Sequence, residues 1–442
     1  MDLNLLDKII SLSKRRGFVF ASSEIYGGFA SCYDYGPLGI ELKNNLKSAW
    51  WQAIVYRKDN IVGLDASILM SPDVWRASGH LTAGFADPLV ECKKCHHRFR
   101  KDYLKENKCP DCGGPLTKER KFNLMMKTFV GPVEDEATVT YLRAETCQGI
   151  YMNYKNIRES MRLKIPFGIA QIGKSFRNEI TPRYFIFKMR EFEQMEMQYF
   201  IKPGTNKKWF DYWQKERLNW YLNLGIKKDH LRFHQHNKKE LAHYAQRAVD
   251  IEYKFPWGWD EIEGIHDRGG WDLSNHAKHS GQDLSYYDES TREKYIPQII
   301  ETSAGLDRIF LIFLLDSYYS IKGGRTQTTQ AVKEEESVLK INPKLSPVKI
   351  AVLPLVKNKE KLVKIAKSIF DELKERWFCQ YDEIGSIGRR YRRQDEIGTP
   401  YCLTVDFDTL KDKSVTIRYR DTMKQKRIKI EKLISYFQEK LY

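Results

Sequence analysis

One segment restricts the fold more than any other. Phe176-Arg177-Asn178-Glu179 is followed, across the charged connection Ile180 to Lys188, by Met189-Arg-Glu-Phe-Glu-Gln-Met-Glu-Met-Gln-Tyr-Phe200. Both flanks read as strands, so the pair forms a hairpin within an antiparallel sheet. An arginine and several acids stand where one strand ends and the next begins. Such a hairpin can hold a cation against a phosphate and an aromatic face against a base. That is the equipment for activating a carboxylate with ATP.

Three further blocks carry chemistry. Leu142-Arg143-Ala144-Glu145-Thr146-Cys147-Gln148-Gly149 sets a glutamate beside an arginine. Glu301-Thr302-Ser303-Ala304-Gly305-Leu306-Asp307-Arg308 runs into the apolar stretch Ile309 to Leu315. A glycine just before a helix lets the backbone approach a ligand closely, and Arg308, one turn in, can point at the same ligand. Trp259-Asp260-Glu261-Ile262-Glu263-Gly264-Ile265-His266-Asp267-Arg268 is followed by Asp272 and His276. On a regular strand Glu261 and Glu263 share a face. Two close carboxylates repel unless a cation lies between them, and Mg²⁺ held by carboxylates and ATP oxygens would relieve the repulsion.

Length and charge set the frame for these blocks. A chain of 442 residues exceeds one ordinary core, so two or three domains are expected. Strand-like segments at 165–201 and 251–303, with helices between, predict an α+β core built on a large antiparallel sheet. Residues 1–321 form this part, with an insertion at 88–120. A polar stretch at 322–346, with Gly323-Gly324 and Lys333-Glu-Glu-Glu336, reads as a linker. From 347 to 442 strands and helices alternate, which predicts a second, α/β domain with a mostly parallel sheet. The net charge is +16, which favours a polyanionic partner. The basic run Arg389-Arg390-Tyr391-Arg392-Arg393 lies in the second domain; rings beside cations suit single-stranded RNA loops, and a solvated basic face is the alternative. No secretory signal opens the chain and no apolar run is long enough for a bilayer, so a cytoplasmic protein without membrane contact is expected.

Of eight cysteines, four form Cys92-Lys-Lys-Cys95 and Cys109-Pro-Asp-Cys112 with 13 residues between the pairs. Paired C-x-x-C knuckles at this spacing predict a zinc ribbon with four thiolates and no open position, hence a structural Zn²⁺. The rest of the cysteines are scattered, unlike a secreted disulfide framework.

The hairpin resembles motif 2 of the class II aminoacyl-tRNA synthetases, and its wording FRNEITPRYFIFKMREFEQMEMQYF is similar to that of the glycyl-tRNA synthetases. The Arg143–Gly149 block resembles the R-x-E-T-x-Q-G block of the same family, with Cys147 in place of the usual alanine. The Glu301–Arg308 block resembles motif 3, with Thr302 where proline is commoner. The predicted helix from Ile40 to Tyr56 corresponds to motif 1, which builds the dimer. The blocks follow the family's order and span the chain almost end to end, and the likeness is to the homodimeric type.

The resemblance implies a glycine–tRNA ligase, with ATP, glycine and tRNA-Gly as its reactants. Arg177, Glu179 and Arg308 would carry catalysis. ATP would be held by Arg177, Asn178, Glu179, Phe187, Lys188, Met189, Arg190, Glu191 and Phe192, by Glu261 and Ile262, and by Gly305, Leu306, Asp307 and Arg308. Phe192 would stack under adenine with Arg308 on its other face. Glycine would be bounded by Arg76, Glu145, Phe192, Glu193, Gln194, Met195, Glu196, Arg268, Glu301, Thr302, Ser303, Ala304 and Gly305, with Arg76 on its carboxylate. The C-terminal domain resembles the anticodon-binding domain shared by several class II synthetases. The competing reading is a catalytically inactive, synthetase-like nucleic-acid-binding protein. Retention of Arg177, Glu179, Phe192 and Arg308 argues against it.

Overall fold

A computed structural model describes residues 3–81, 85–181, 183–242, 244–323, 325 and 335–441. The N-terminal part is organised by seven strands. In chain order they are β1 (Ile61–Gly63), β2 (Phe167–Phe176), β3 (Glu191–Ile201), β4 (Leu231–Gln235), β5 (Arg247–Phe255), β6 (Gly258–Gly269) and β7 (Gln298–Gly305). Their order across the sheet is β4-β5-β6-β7-β3-β2-β1. Every pairing is antiparallel except β1 with β2. The hairpin read from the sequence is β2–β3, between β7 and the short edge strand β1.

Seven helices accompany the sheet: α1 (Leu3–Arg16), α2 (Pro37–Trp51), α3 (Pro72–Ala77), α4 (Cys147–Ser160), α5 (Asn206–Asn223), α6 (Trp271–Ser280) and α7 (Leu306–Ser317). Strand periodicity decides what each face carries. On β3, Met195, Met197, Tyr199 and Ile201 join Trp50, Trp213, Phe310 and Leu314 in the main core. On its other face Phe192, Gln194 and Glu196 border a cavity. The expected motif 1 helix starts earlier than predicted, because Pro37 occupies its first turn with its φ already set for a helix. Gly39 lets that turn press on Phe18: a Cβ there would lie 1.9 Å from the Phe18 carbonyl oxygen. Regular α-helix ends at Trp51 and continues as a wider π-turn over Gln52–Tyr56.

The 88–120 insertion is a small three-stranded antiparallel sheet, Arg98–Arg100, Ala86–Glu91 and Arg120–Asn123, carrying the cysteines on its loops. Part of the predicted linker, 324 and 326–334, lies outside the described residues. The rest is more ordered than a linker. Strands β8 (Tyr318–Lys322) and β9 (Glu335–Leu339) pair as an antiparallel hairpin, and Glu336 is buried against Arg325.

The C-terminal domain contains β10 (Ile350–Pro354), α8 (Glu360–Lys374), β11 (Cys379–Tyr381), α9 (Ile387–Ile397), β12 (Tyr401–Val405), β13 (Ser414–Tyr419) and β14 (Gln425–Lys429), closed by a helix at Leu433–Leu441. The sheet order is β11-β10-β12-β13-β14. It is mixed rather than mostly parallel. Strand β10 is parallel to β11 and β12, but β12–β13 and β13–β14 are antiparallel. Helical crossovers allow the parallel pairs, whereas the connections after β12 and β13 are too short for a crossover. The basic run on α9 is partly internal: Arg390 is buried, whereas Arg389 is exposed. Arg390 donates to the carbonyls of Pro354 and Leu355, Arg393 pairs with Asp382, and Tyr391 bonds Thr404.

The two parts touch extensively. Leu345, Val348 and Ile397 enter the main core, Asn45 donates to the Leu345 and Ser346 carbonyls, and Arg15 and Arg16 pair with Glu396. No helix among the described residues is long and apolar enough to cross a membrane.

Candidate active site

Four neighbouring strands build the site by their register. Gln171, Glu196, Ser303 and Gly264 lie side by side across β2, β3, β7 and β6, and in the next row on one side Gln198 faces Glu301 and Glu301 faces His266. Of these, Glu196, Ser303, Gly264, Glu301 and His266 line a cavity of about 280 Å³, which is also bordered by Glu145, Arg177, Glu179, Lys188, Tyr244, Glu261 and Arg308. A larger cavity of about 680 Å³ lies between the two domains; its charged lining is mainly basic, with Glu41 and Glu216 as its carboxylates.

Charge is divided along the smaller cavity. At one end stand Glu145, Glu196 and Glu301. Gln198 Nε2 donates to Glu196 Oε1 at 3.0 Å and Glu301 Oε2 at 2.8 Å. Arg268 lies behind them, donating to Glu301 at 2.9 Å and gripping Asp272 with two bonds of 2.7 and 2.8 Å. Burial opposes the charge of Glu301, yet Arg268 and His266 hold it down to about 2. Burial likewise opposes Glu145, and His80 with Arg268 overcomes it, so its carboxyl lies well below its ordinary range. Glu196 goes the other way: burial, then the charges of Glu301 and Glu145, push it well above. Three carboxylates gathered at one end repel one another, and a cation among them would relieve that repulsion.

At the other end are cations. Arg177 Nε donates to the Ala144 carbonyl at 3.1 Å, and its guanidinium lies over Phe192 at 5.4 Å and Phe85 at 5.6 Å. Among the described residues no carboxylate comes within ion-pair range of it. Lys188 pairs with Glu179 at 3.0 Å. Arg308 bonds the Glu261 carboxylate at 3.1 Å and rests 4.4 Å over the ring of Phe187.

Several expected residues stand elsewhere. Arg76, on α3, is exposed and paired with Asp73, outside the cavity wall. Period-two alternation turns others away from the cavity. Glu193 binds Lys43 and Lys47 on α2, and Met195, Ala304 and Leu306 belong to the core. Thr302 is fully buried. Asp307 borders the cavity, but its carboxylate is engaged by Tyr35, Lys43 and the Glu193 N–H. Glu191 pairs outward with Lys174, Arg190 donates to the Ala30 and Glu179 carbonyls, and the Asn178 N–H bonds the Leu124 carbonyl. Phe187, Met189 and Gly305 border the cavity; Arg268 acts from behind its wall.

The expected Glu261–Glu263 pair does not form. The β5–β6 register slips between Ile251 and Glu252, so an extra residue, Ile262, separates the two acids. This bulge leaves Glu261 at the cavity and sends Glu263 to the opposite face, where Arg217 and Tyr221 of α5 bind it at 2.6 and 2.7 Å. Ile262 itself is core. One carboxylate is nevertheless enough for Mg²⁺, which is commonly held by one or two carboxylates together with phosphate oxygens.

Other participants were not legible in the sequence. His266 Nδ1 stands 3.0 Å from Glu301, and Gly264 leaves room for that imidazole: a Cβ there would lie 2.6 Å from its Cε1. The Cys147 thiol, kept protonated by burial and neighbouring acids, donates to Glu145 at 2.9 Å. Tyr244 joins the wall from a loop with no strand or helix signal.

The cysteine cluster fits a tetrahedral ion. All four sulfurs lie within 4.8 Å of one another, with Cys92–Cys112 at 3.5 Å and Cys95–Cys109 at 3.6 Å. Zn–S bonds of about 2.3 Å require sulfur separations of roughly 3.8 Å. The Lys94 and Cys95 N–H groups donate to Cys92 Sγ, as expected around a thiolate. His96 and His97 point instead to Glu91 and Asp111.

Known proteins resemble this chain in sequence and in fold. Residues 349–440 match the family described as anticodon binding domain. A glycine–tRNA ligase of Treponema denticola is 56% identical over 436 residues, covering 97% of this chain and 96% of that protein. One of Thermobifida fusca is 51% identical over 457 residues, covering 99% and 98%. In fold, the chain resembles a crystal structure of prolyl-tRNA synthetase from Cryptosporidium parvum in complex with halofuginone and AMPPNP, with a TM-score of 0.65 and 16% identity over 99% of this chain and 77% of the other.

Proposed function

The chain belongs to the glycine–tRNA ligase family of class II aminoacyl-tRNA synthetases, and on that premise we propose how its residues divide the reaction. It activates glycine with ATP and transfers the glycyl group to tRNA-Gly. A glycine carboxylate oxygen attacks the α-phosphorus, the bond to the pyrophosphate oxygen breaks, and glycyl-adenylate forms. A terminal hydroxyl of the tRNA then attacks the carbonyl carbon and AMP leaves. The attacking carboxylate is already ionised, so no side chain need act as base. The protein's work is to bring two anions together and to neutralise them.

The observation that carries the assignment is the separation of charge within one cavity. The carboxylate end, where Glu145, Glu196 and Glu301 converge, suits the ammonium of glycine, with Glu145 and Glu196 as its acceptors. The Arg177 guanidinium, which has no carboxylate in ion-pair range among the described residues, suits the α-phosphate. Phe192 offers adenine an aromatic face, and Arg308, oriented by Phe187 and Glu261, offers a cationic one. Glu179 is assigned to the base's amino group. Glu301 and Ser303 fill the space beside the α-carbon. Glu261 would hold Mg²⁺, which supplies charge neutralisation between ATP oxygens when bound. Cys92, Cys95, Cys109 and Cys112 would hold Zn²⁺ as a structural ion.

The same reading includes two finer points. Residues 1–321, 322–346 and 347–442 act as catalytic domain, connection and anticodon-binding domain. The enzyme is a cytoplasmic homodimer, a reading supported by Ile25, Tyr26 and Phe29, which stand exposed on the loop leading to α2. ATP–pyrophosphate exchange across the twenty amino acids tests the pocket. Exchange with glycine alone is expected, and comparable exchange with a larger amino acid would overturn the assignment.

A further inference from the structure

Helix α6 reaches the glycine end of the cavity twice without lining it. Asp272 and His276 are four residues apart, so both project from one face. Asp272 holds Arg268, and Arg268 holds Glu301. His276 Nε2 meets Gln148 Oε1 at 2.8 Å, and Gln148 Nε2 meets Glu145 Oε1 at 2.9 Å. The two chains of bonds end on two of the three carboxylates at the same end of the cavity. All four of Asp272, His276, Gln148 and Arg268 are buried, so none of these bonds competes with open solvent.

The direction of the second chain is fixed by its members. A carboxylate only accepts, so Gln148 must present its NH₂ to Glu145. Its carbonyl then faces His276, which must donate. Burial brings His276 down to about 4, so near neutral pH the ring carries one proton, and Nε2 is where it is needed. A flipped amide would aim a carbonyl oxygen at the Glu145 carboxylate.

We infer that His276 is a positioning residue for glycine recognition, acting through the Gln148 amide to aim Glu145 at the substrate ammonium. The inference rests on the proposed role of Glu145. Its consequence is selective: glycine binding depends on His276, whereas ATP binding, at the far end of the cavity, does not.

The test is pyrophosphate exchange with separate KM values for glycine and ATP, together with thermal unfolding. The variants are His276→Leu, His276→Gln, Glu145→Ala and the double variant His276→Leu/Glu145→Ala. His276→Leu releases the Gln148 amide, and loss of its hydrogen bond to the charged Glu145 should raise the glycine KM about tenfold. The ATP KM should stay within about twofold, and His276→Gln, which restores a donor, should recover most of the loss. Because His276 acts through Glu145, the double variant should be no worse than Glu145→Ala. Should His276→Leu fail to fold, Gln148→Met removes the same link at similar volume and is expected to match it. An unchanged glycine KM, an equal rise in both KM values, or additive losses in the double variant would overturn the inference. If Glu145→Ala itself leaves the glycine KM unchanged, the ammonium reading falls and takes this one with it. If Glu145→Ala raises it and the His276 and Gln148 variants do not, only the positioning role falls.

Discussion

Replacing Ser303 by glycine should weaken discrimination against alanine more than it weakens glycine activation. Ser303 faces the cavity between Glu196 of β3 and Gly264 of β6, so its CH₂OH group occupies space beside the proposed α-carbon position. Its Oγ accepts a bond from Gln194 Nε2 at 3.3 Å. Gln194 is held independently, because Ser175 donates to its Oε1 at 2.7 Å. Removing the Ser303 side chain therefore opens room without releasing its neighbour into that room. Admitting one methyl-sized group is worth about 1–3 kcal/mol, roughly tenfold to two-hundredfold in selectivity. A glycine in a strand interior also costs about 0.5–1 kcal/mol of stability, which would appear as a small fall in melting temperature. The assay is pyrophosphate exchange, with kcat/KM for glycine and for alanine in each enzyme. Glu145→Ala is the contrast: both amino acids present the same ammonium, so both should lose equally. An unchanged glycine-to-alanine ratio in Ser303→Gly would refute the reasoning and move the search to Glu301.

Arg177→Ala should abolish adenylate formation with little change in fold or tRNA affinity. A charge-assisted phosphate contact of this kind is worth about 3 kcal/mol in the transition state, and near-normal pyrophosphate exchange would contradict its role. Cys109→Ser should lose the bound metal and loosen the 88–120 insertion, measured by elemental analysis and limited proteolysis, because metal binding at such sites is coupled to local folding. Arg390→Ala should lower the melting temperature of the C-terminal domain by an amount equivalent to about 3 kcal/mol, since buried carbonyls lose their donor; loss of tRNA binding with unchanged stability would instead mark Arg390 as an RNA contact. His266 should make stability pH-dependent. Burial alone would lower its pKa, but the bond and charge of Glu301 raise it above 6.5. Its pairing therefore contributes fully below about pH 6.5 and fades as pH rises through the folded value. The stability gap between wild type and His266→Asn should shrink from pH 6 to pH 9, and a gap that widens with pH would reverse the sign.

How much of this was legible in the sequence depended on whether the information was local. The β2–β3 hairpin and the paired cysteines announce themselves by spacing, since each is complete within a few dozen residues. Glu301, Ser303 and Gly305 stand on one side of a strand, and period-two counting separates them from Thr302 and Ala304. Counting failed at Glu263, because the bulge at Ile262 arises from pairing with β5, and nothing in β6 alone reveals it. It failed at Arg76 because proximity in a motif says nothing of where a surface helix points. His80, Gln148 and His276 are far apart in the chain and meet only after α4 and α6 pack on the sheet. The basic run on α9 left two readings open for another reason: an arginine that fills a carbonyl-lined niche, as Arg390 does, has the same spelling as one that meets RNA.

The row-by-row construction of the cavity floor makes the site discrete. Shifting β7 by one residue would exchange Glu301, Ser303 and Gly305 for Thr302 and Ala304, replacing the whole wall at once rather than displacing it slightly. Point substitutions can therefore retune this enzyme by degrees, while a single insertion or deletion within β3 or β7 erases the pocket outright. Strand β6 is the one wall where an extra residue is already absorbed. Deleting Ile262 would make Glu261 and Glu263 consecutive, so regular alternation would still keep Glu261 at the cavity and Glu263 on the face of its partner Arg217.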